Sequence, residues 1–281
     1  MRVITLGKSA LGNNFFKYIH VFSYCKEHNI ELYYSDKKNI DQFFDLDGSV
    51  ANDLTTSSYL NNKFVKLILK GIVESWILLK VMNVFNVFIH YHFHASHASQ
   101  LQIFGNRKDA TLLILRDFRS DSSVQKNLST LRAAFSLKQQ LTINMEDEYR
   151  HLREQYKILV GVHVRRGDYE RWKNGKYFFS DTTFNRKIHE FLDFKKFDPK
   201  DVGIIICSNG AIMLENFSRL NVHFSPRRPE EDLFLMGKCD YIIASPSTFS
   251  SMSSFIGSVP IYFLEDEEMT MFDERLHICS S

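Results

Sequence analysis

Short apolar runs rich in β-branched residues alternate with amphipathic stretches through most of this chain. The run Ile158-Leu159-Val160-Gly161-Val162-His163-Val164 is apolar on both of its faces, and Gly203-Ile204-Ile205-Ile206-Cys207-Ser208, Tyr241-Ile242-Ile243-Ala244 and Pro260-Ile261-Tyr262-Phe263 repeat the pattern. Runs of this length and character predict strands buried in a parallel sheet. Between them, Phe184, Ile188 and Phe191 fall at helical spacing in residues 181–194, and Leu233, Met236 and Gly237 share one face of a helix that starts near Pro229. Earlier in the chain, Leu131, Ala134, Phe135, Leu137 and Leu141 extend a helical pattern over residues 128–156, and residues 1–7 read as a first strand running into a loop at Gly12 and Asn13. Strands alternating with helices make this an α/β protein. A chain of 281 residues exceeds a usual domain of ~100–200. Two α/β domains are therefore expected, residues 1–155 and 156–281.

Residues 64–93 are rich in Ile, Leu, Val and Phe, but their longest uncharged run, residues 81–89, is bounded by Lys80 and His90. A span needs ~20 apolar residues, so helices packed inside the first domain are expected, with weak attachment to a membrane surface as the alternative. The opening strand leaves no room for a signal peptide, which predicts a cytoplasmic protein, at most peripheral to the inner membrane. A formal charge of +2 gives no electrostatic case for nucleic acid. Cys25, Cys207, Cys239 and Cys279 have no metal-ligand spacing and are expected to be buried thiols. His90, His92 and His94 alternate as on one face of a strand, but no Cys or carboxylate completes a ligand set, so no metal site is expected.

The candidate chemistry lies where the apolar runs stop. After Val164 the chain turns to Arg165-Arg166-Gly167-Asp168-Tyr169. In α/β sheets ligands sit beyond the carboxyl ends of strands, and guanidinium groups placed there form bidentate bonds to phosphate oxygens. A second such place is the Ser/Thr-rich turn of residues 245–251, where Ser247, Thr248 and Ser250 open a helix whose free N–H groups and positive dipole end suit an anion. Ser208 and Asn209 end a third strand on the same side. Residues 226–229, Pro-Arg-Arg-Pro, read as an exposed turn ahead of a helix or, in the alternative, as a contact to a nucleotide or an anionic acceptor. Trp172 and Tyr177, in the aromatic and basic stretch 172–178, either stack on a sugar or pack the turn against its own domain.

Three motifs in order carry a family resemblance. His163-Val164-Arg165-Arg166-Gly167-Asp168-Tyr169, the block Asp232…Asp240…Ser247-Thr248-Phe249-Ser250, and Leu11-Gly12-Asn13-Asn14-Phe15-Phe16-Lys17-Tyr18 together resemble the α-1,2-fucosyltransferases and their α-1,6- and protein O-fucosyltransferase relatives. Asn14 stands where that family usually has Gln, and Lys8-Ser9-Ala10 replaces its glycine-rich run. The resemblance implies a GT-B architecture, two Rossmann-like domains facing a cleft, with GDP-fucose as donor substrate and no metal or other cofactor. It implies that Arg165 contacts the donor diphosphate with Arg166 beside it. Asp232 would bind guanine or ribose, and Ser247, Thr248 and Ser250 would approach the phosphates. His163 and Gly12-Asn13 would line the cleft from opposite domains.

Transfer from a nucleotide diphosphate requires stabilisation of the charge that develops on the leaving phosphate, and an arginine supplies it where other enzymes use a divalent ion. The expected reaction is inversion at the anomeric carbon by a hydroxyl of an oligosaccharide or lipid-linked glycan. Asp168 has two open readings, general base for that hydroxyl or ion-pair partner that orients the arginines. Another GDP-sugar donor, or a non-catalytic protein that only binds a nucleotide sugar, are the alternatives to fucosyl transfer.

Overall fold

The computed structural model describes residues 2–5, 10–34, 40, 42–46, 54–55, 87–94 and 111–268. Contacts divide the chain into two units, the first ending at Ser136 and the second beginning at Leu137.

In the first unit, β1 (Arg2–Thr5), β2 (Glu31–Tyr34), β4 (Leu54–Thr55), β5 (Val87–His94) and β6 (Thr111–Arg119) form a parallel sheet in the order β4-β2-β1-β6-β5. Between β1 and β2 lies α1 (Leu11–Glu27), which contributes Phe15, Phe16, Tyr18 and Phe22 to the core. The Phe15 ring meets Phe16, Phe135 and Phe44, from β3 (Phe44–Leu46), at centroid distances of 5.0–5.6 Å. Gly12 and Asn13 belong to the first turn of α1 rather than to a loop: Asn14 N–H already closes on Ala10 O at 3.0 Å. The apolar face that begins at Phe15 extends the helix back to Leu11. Residues 87–94 form the strand β5, in keeping with the alternation of His90, His92 and His94 and against the helical expectation for the 64–93 segment; their β-branched and aromatic content suits a sheet. Residues 64–86 lie outside the described residues. Among the described residues no helix is long and apolar enough to cross a membrane.

The helical pattern over 128–156 is broken. Helices α2 (Asp121–Lys126) and α3 (Leu128–Ala134) lead into β7 (Phe135–Leu137), which pairs with β3, and α4 (Gln139–Gln155) follows. Whereas the sequence pattern places the domain boundary near residue 155, α4 belongs to the second unit. Arg153 ties it there with a paired hydrogen bond to Asp240, 2.8 and 2.9 Å, and Asp240 also accepts from Leu159 N–H at 2.7 Å.

The second unit holds β8 (Ile158–Val164), β9 (Val202–Ser208), β10 (Asn221–His223), β11 (Tyr241–Ala244) and β12 (Ile261–Phe263), all parallel and ordered β10-β9-β8-β11-β12. Side chains alternate between its two faces. Val160, Val162, Val164, Ile204, Ile206 and Ile243 form a core with Phe184, Ile188 and Phe191 of α5 (Asp181–Lys195). Leu159, Ile205, Ile242, Ala244 and Ile261 form another with Leu152 of α4 and Leu235 and Met236 of α6 (Pro229–Gly237). Each such side chain taken fully out of water contributes about 1.5–3 kcal/mol. The same alternation puts His163 on the side of Leu159 rather than that of Val164. In the last crossover, α7 (Thr248–Gly257) meets α6 backbone to backbone: a Cβ on Gly257 would stand 2.0 Å from Gly237 O. Cys25, Cys207 and Cys239 are buried free thiols, and burial pushes each thiol pKa up.

Candidate active site

In the second sheet the chain winds outward from β8 through β9 to β10, then returns to the other side of β8 for β11 and β12. Reversals of this kind leave a crevice beyond the carboxyl ends of the two strands at the switch, here β8 and β11. The segments leaving these strands are Arg165-Arg166-Gly167-Asp168-Tyr169 and Ser245-Pro246-Ser247. They are joined by the Tyr169 hydroxyl, which donates to Pro246 O, and by Ser245 N–H, which donates to His163 O at 3.3 Å.

The two adjacent arginines have different surroundings. Arg166 donates to Phe179 O and to the buried carboxylate of Asp181, and its guanidinium lies over the Phe178 ring. These partners make it a brace of the loop beside Arg165. Arg165 donates from Nη2 to Asp168 Oδ1 at 2.8 Å and lies 5.4 Å over the Tyr169 ring, while its Nε is buried without a partner. Asp168 is 62% exposed, in keeping with an ion-pair partner that steadies Arg165.

Ser208 and Asn209 also hold the loop. Ser208 Oγ donates to Val164 O at 2.8 Å, and Asn209 Oδ1 accepts from Arg166 N–H at 2.7 Å. Gly167 is needed where it stands: its φ is +61°, and a Cβ would lie 3.1 Å from Asn209 Nδ2.

His163 is buried, with Nδ1 2.6 Å from Ser250 Oγ, and Phe249 packs against its ring. Burial first, and the Arg165 charge second, lower its pKa to about 3, so the imidazole is neutral. Ser250 thus acts on His163 from inside the fold. Ser247 caps α7, its Oγ accepting from Phe249 N–H at 3.2 Å, and Thr248 begins the helix. The first amides of α7 therefore open onto the crevice side of β11.

Asp232, in the first turn of α6, is buried, its Oδ1 without a hydrogen bond and ion-paired with Arg227 Nη1 at 3.8 Å. Burial raises its pKa to about 6. Arg227 is no exposed turn residue. Its side chain is 3% exposed, paired with Glu148 at 2.5 Å and donating to Ile206 O at 3.3 Å. Buried polar atoms without a hydrogen-bond partner recur along this edge of the sheet: His223 Nε2 at the end of β10, Arg227 Nε, Arg165 Nε after β8, Asp232 Oδ1, and Ser245 Oγ after β11. Unsatisfied buried groups are costly and therefore rare, and a run of them marks where a polar ligand completes the bonding. Sequence reasoning missed His223, which ends the short strand Asn221–His223, and took Ser245 only as the start of the Ser/Thr-rich turn. Nothing in the local sequence signalled that Arg227 folds inward. Gly12, buried, and Asn13, exposed, lie in the first unit. Among the described residues no cluster of three or more His, Cys, Asp or Glu is arranged to hold a metal ion.

The segment that carries this edge, residues 125–263, matches the family model of glycosyl transferase family 11. It belongs to the α-1,2-fucosyltransferase family. By this match the chain is a fucosyltransferase of family 11. No curated protein matches it in sequence. Its fold is similar to that of Arabidopsis thaliana FUT1 solved with GDP, with a TM-score of 0.66 and 16% identity over 97% of this chain and 72% of that one. NodZ from Bradyrhizobium, a fucosyltransferase, gives a TM-score of 0.57 at 16% identity, covering 97% of this chain and 98% of that one. POFUT1 in complex with GDP-fucose gives 0.54 at 13% identity, covering 91% and 93%.

Proposed function

We propose that this fucosyltransferase works by inversion, joining fucose in α-1,2 linkage to a hydroxyl of an oligosaccharide or lipid-linked glycan. In this reading the two units form a GT-B pair. The second takes the GDP-fucose, and the first, with Gly12 and Asn13, serves the acceptor. The carrying observation is Arg165: a guanidinium at the switch point of a parallel sheet, held by Asp168 and Tyr169, with a buried Nε that has no acceptor in the protein.

Bond cleavage between the anomeric carbon and the diphosphate leaves negative charge on the departing GDP. Arg165 meets that charge from β8, and the first amides of α7 meet it from β11. Preorganised donors aimed at developing charge contribute about 3–4 kcal/mol each to lowering a barrier. Neutral His163, fixed by Ser250, shapes the floor between them without adding a competing charge. Asp232 and Arg227, farther along the sheet edge, offer an acceptor and a donor to the nucleoside. Asp168 positions Arg165, and proton removal from the acceptor hydroxyl is a separate duty that it can be tested for.

Arg165→Ala should cut transfer by roughly 100-fold or more and weaken GDP binding, as measured by turnover and calorimetry. Asp168→Asn should leave GDP affinity within about threefold, since the guanidinium remains. Arg165→Ala with unchanged GDP affinity and turnover would remove the basis of the proposed phosphate site.

A further inference from the structure

The turn that follows Tyr169 has no part in the donor chemistry described above. We propose that Trp172 is the platform on which a pyranose ring of the acceptor stacks, a reading that rests on the proposed fucosyl transfer and extends it. Lys173 (φ 50°, ψ 40°) and Asn174 (φ 58°, ψ 35°) are both left-handed, and Gly175 (φ 76°) follows. A Cβ resists that conformation, so consecutive non-glycine residues adopt it only where their surroundings fix them, and such outliers gather at ligand sites. Here the turn is closed by Asn174 N–H to Arg171 O at 3.2 Å, Lys176 N–H to Lys173 O at 3.3 Å and Phe178 N–H to Gly175 O at 2.9 Å.

The turn holds an indole fixed yet open. Trp172 stands 4.8 Å from the Tyr169 ring and 5.4 Å from the Tyr177 ring, and remains 40% exposed. Tyr169 is also the ring under the Arg165 guanidinium, and its hydroxyl is anchored on Pro246 O. Trp172 is therefore one ring removed from the arginine assigned to the diphosphate, on the side open to solvent. In glycosyl transfer the acceptor sugar must lie next to the transferred sugar, and the transferred sugar next to the diphosphate.

Electrostatics suit such an occupant. Lys173 Nζ lies 4.8 Å from the Trp172 centroid and 5.4 Å from that of Tyr177, as expected where the negative faces of π-systems attract positive charge. One face of a pyranose is a patch of weakly positive C–H groups that suits the same surface. With the sugar in place, the displaced ammonium is free to donate to ring hydroxyls. A rigid aromatic also loses little conformational freedom on binding, which favours it as a contact.

The test compares wild type, Trp172→Ala and Trp172→Phe for fucose transfer from GDP-fucose across an oligosaccharide array ending in galactose, glucose, mannose or N-acetylglucosamine. GDP binding is measured on each by calorimetry. Loss of one stacking contact should raise KM for the best acceptor about 10-fold in Trp172→Ala, with substantial recovery in Trp172→Phe. Affinity for GDP and KM for GDP-fucose should stay within about twofold in both, because neither contacts the indole. In a Trp76→Phe background, Trp172 becomes the only tryptophan, since the chain has 2. Its emission should then shift when that acceptor is added in the presence of GDP. Wild-type transfer with an unchanged acceptor KM in Trp172→Ala would overturn the platform alone. Wild type that neither binds GDP nor transfers to any member of the array would overturn the functional reading together with it.

Discussion

His163 shows how one position on a strand becomes chemistry. It occupies the face of β8 shared with Leu159, so the fold buries its imidazole beneath α7, against Ser250. Burial holds it neutral in the native state, with a pKa of about 3, while in the unfolded chain it takes a proton near 6.5. Below pH 6.5 the unfolded state therefore binds the extra proton, and stability falls with pH throughout the window from 6.5 to about 3. Wild type should lose about 2 kcal/mol relative to His163→Gln on going from pH 7 to 5, measured by urea denaturation at each pH. Equal pH dependence of the two proteins would show that His163 is not held neutral. His163 and Arg165 were legible because a strand that ends in charged residues is unusual. The division of labour between Arg165 and Arg166 was not, because it depends on Asp181 and Phe179, more than a dozen residues away. Arg227 was hidden for the same reason: the partners that draw it inward, Glu148 and Asp232, lie on two different helices.

Among elements, four of the five strands of the second sheet were legible to within about two residues, since buried parallel strands are continuous apolar runs with abrupt ends, whereas β10, Asn-Val-His, carries no such run. Helix starts were read less well. Gly12 and Asn13 resemble loop formers by composition, yet the aromatic face of α1 recruits them into its first turn. The pattern over 128–156 broke at Phe135–Leu137 because β7 has a strand partner, β3, about 90 residues earlier, and a helical period cannot reveal a partner that distant. Close crossing of α6 and α7 is likewise a tertiary fact carried by two glycines. Gly257→Ala should destabilise the protein by about 3 kcal/mol, because its Cβ would meet the Gly237 backbone, which cannot turn aside. Gly237→Ala should cost under about 1 kcal/mol, its Cβ having no neighbour closer than 3.6 Å. Thermal denaturation of the pair decides this, and equal costs would contradict the crossing. On the proposed role of Ser247 and Thr248 at the phosphates, the Gly257 variant should also lose GDP affinity.

At the scale of the whole molecule, the two parallel sheets are wound with different strand orders, β4-β2-β1-β6-β5 and β10-β9-β8-β11-β12, and the second carries the run of unpartnered polar atoms. The α/β class and a two-part chain were legible from alternating patterns and length. The edge of the second sheet was legible only as separate motifs, because strand order is what sets the ends of β8 and β11 side by side. The central claim is that this edge binds a guanosine diphosphate sugar through Arg165. Calorimetric titration of the protein in EDTA with GDP-fucose, GDP-mannose, GDP and UDP tests it most directly. Binding of the three guanosine ligands, GDP-fucose tightest, with UDP at least about tenfold weaker and all binding lost in Arg165→Ala, is the predicted result. Binding of none of them by the wild type, or of UDP as tightly as GDP, would contradict it.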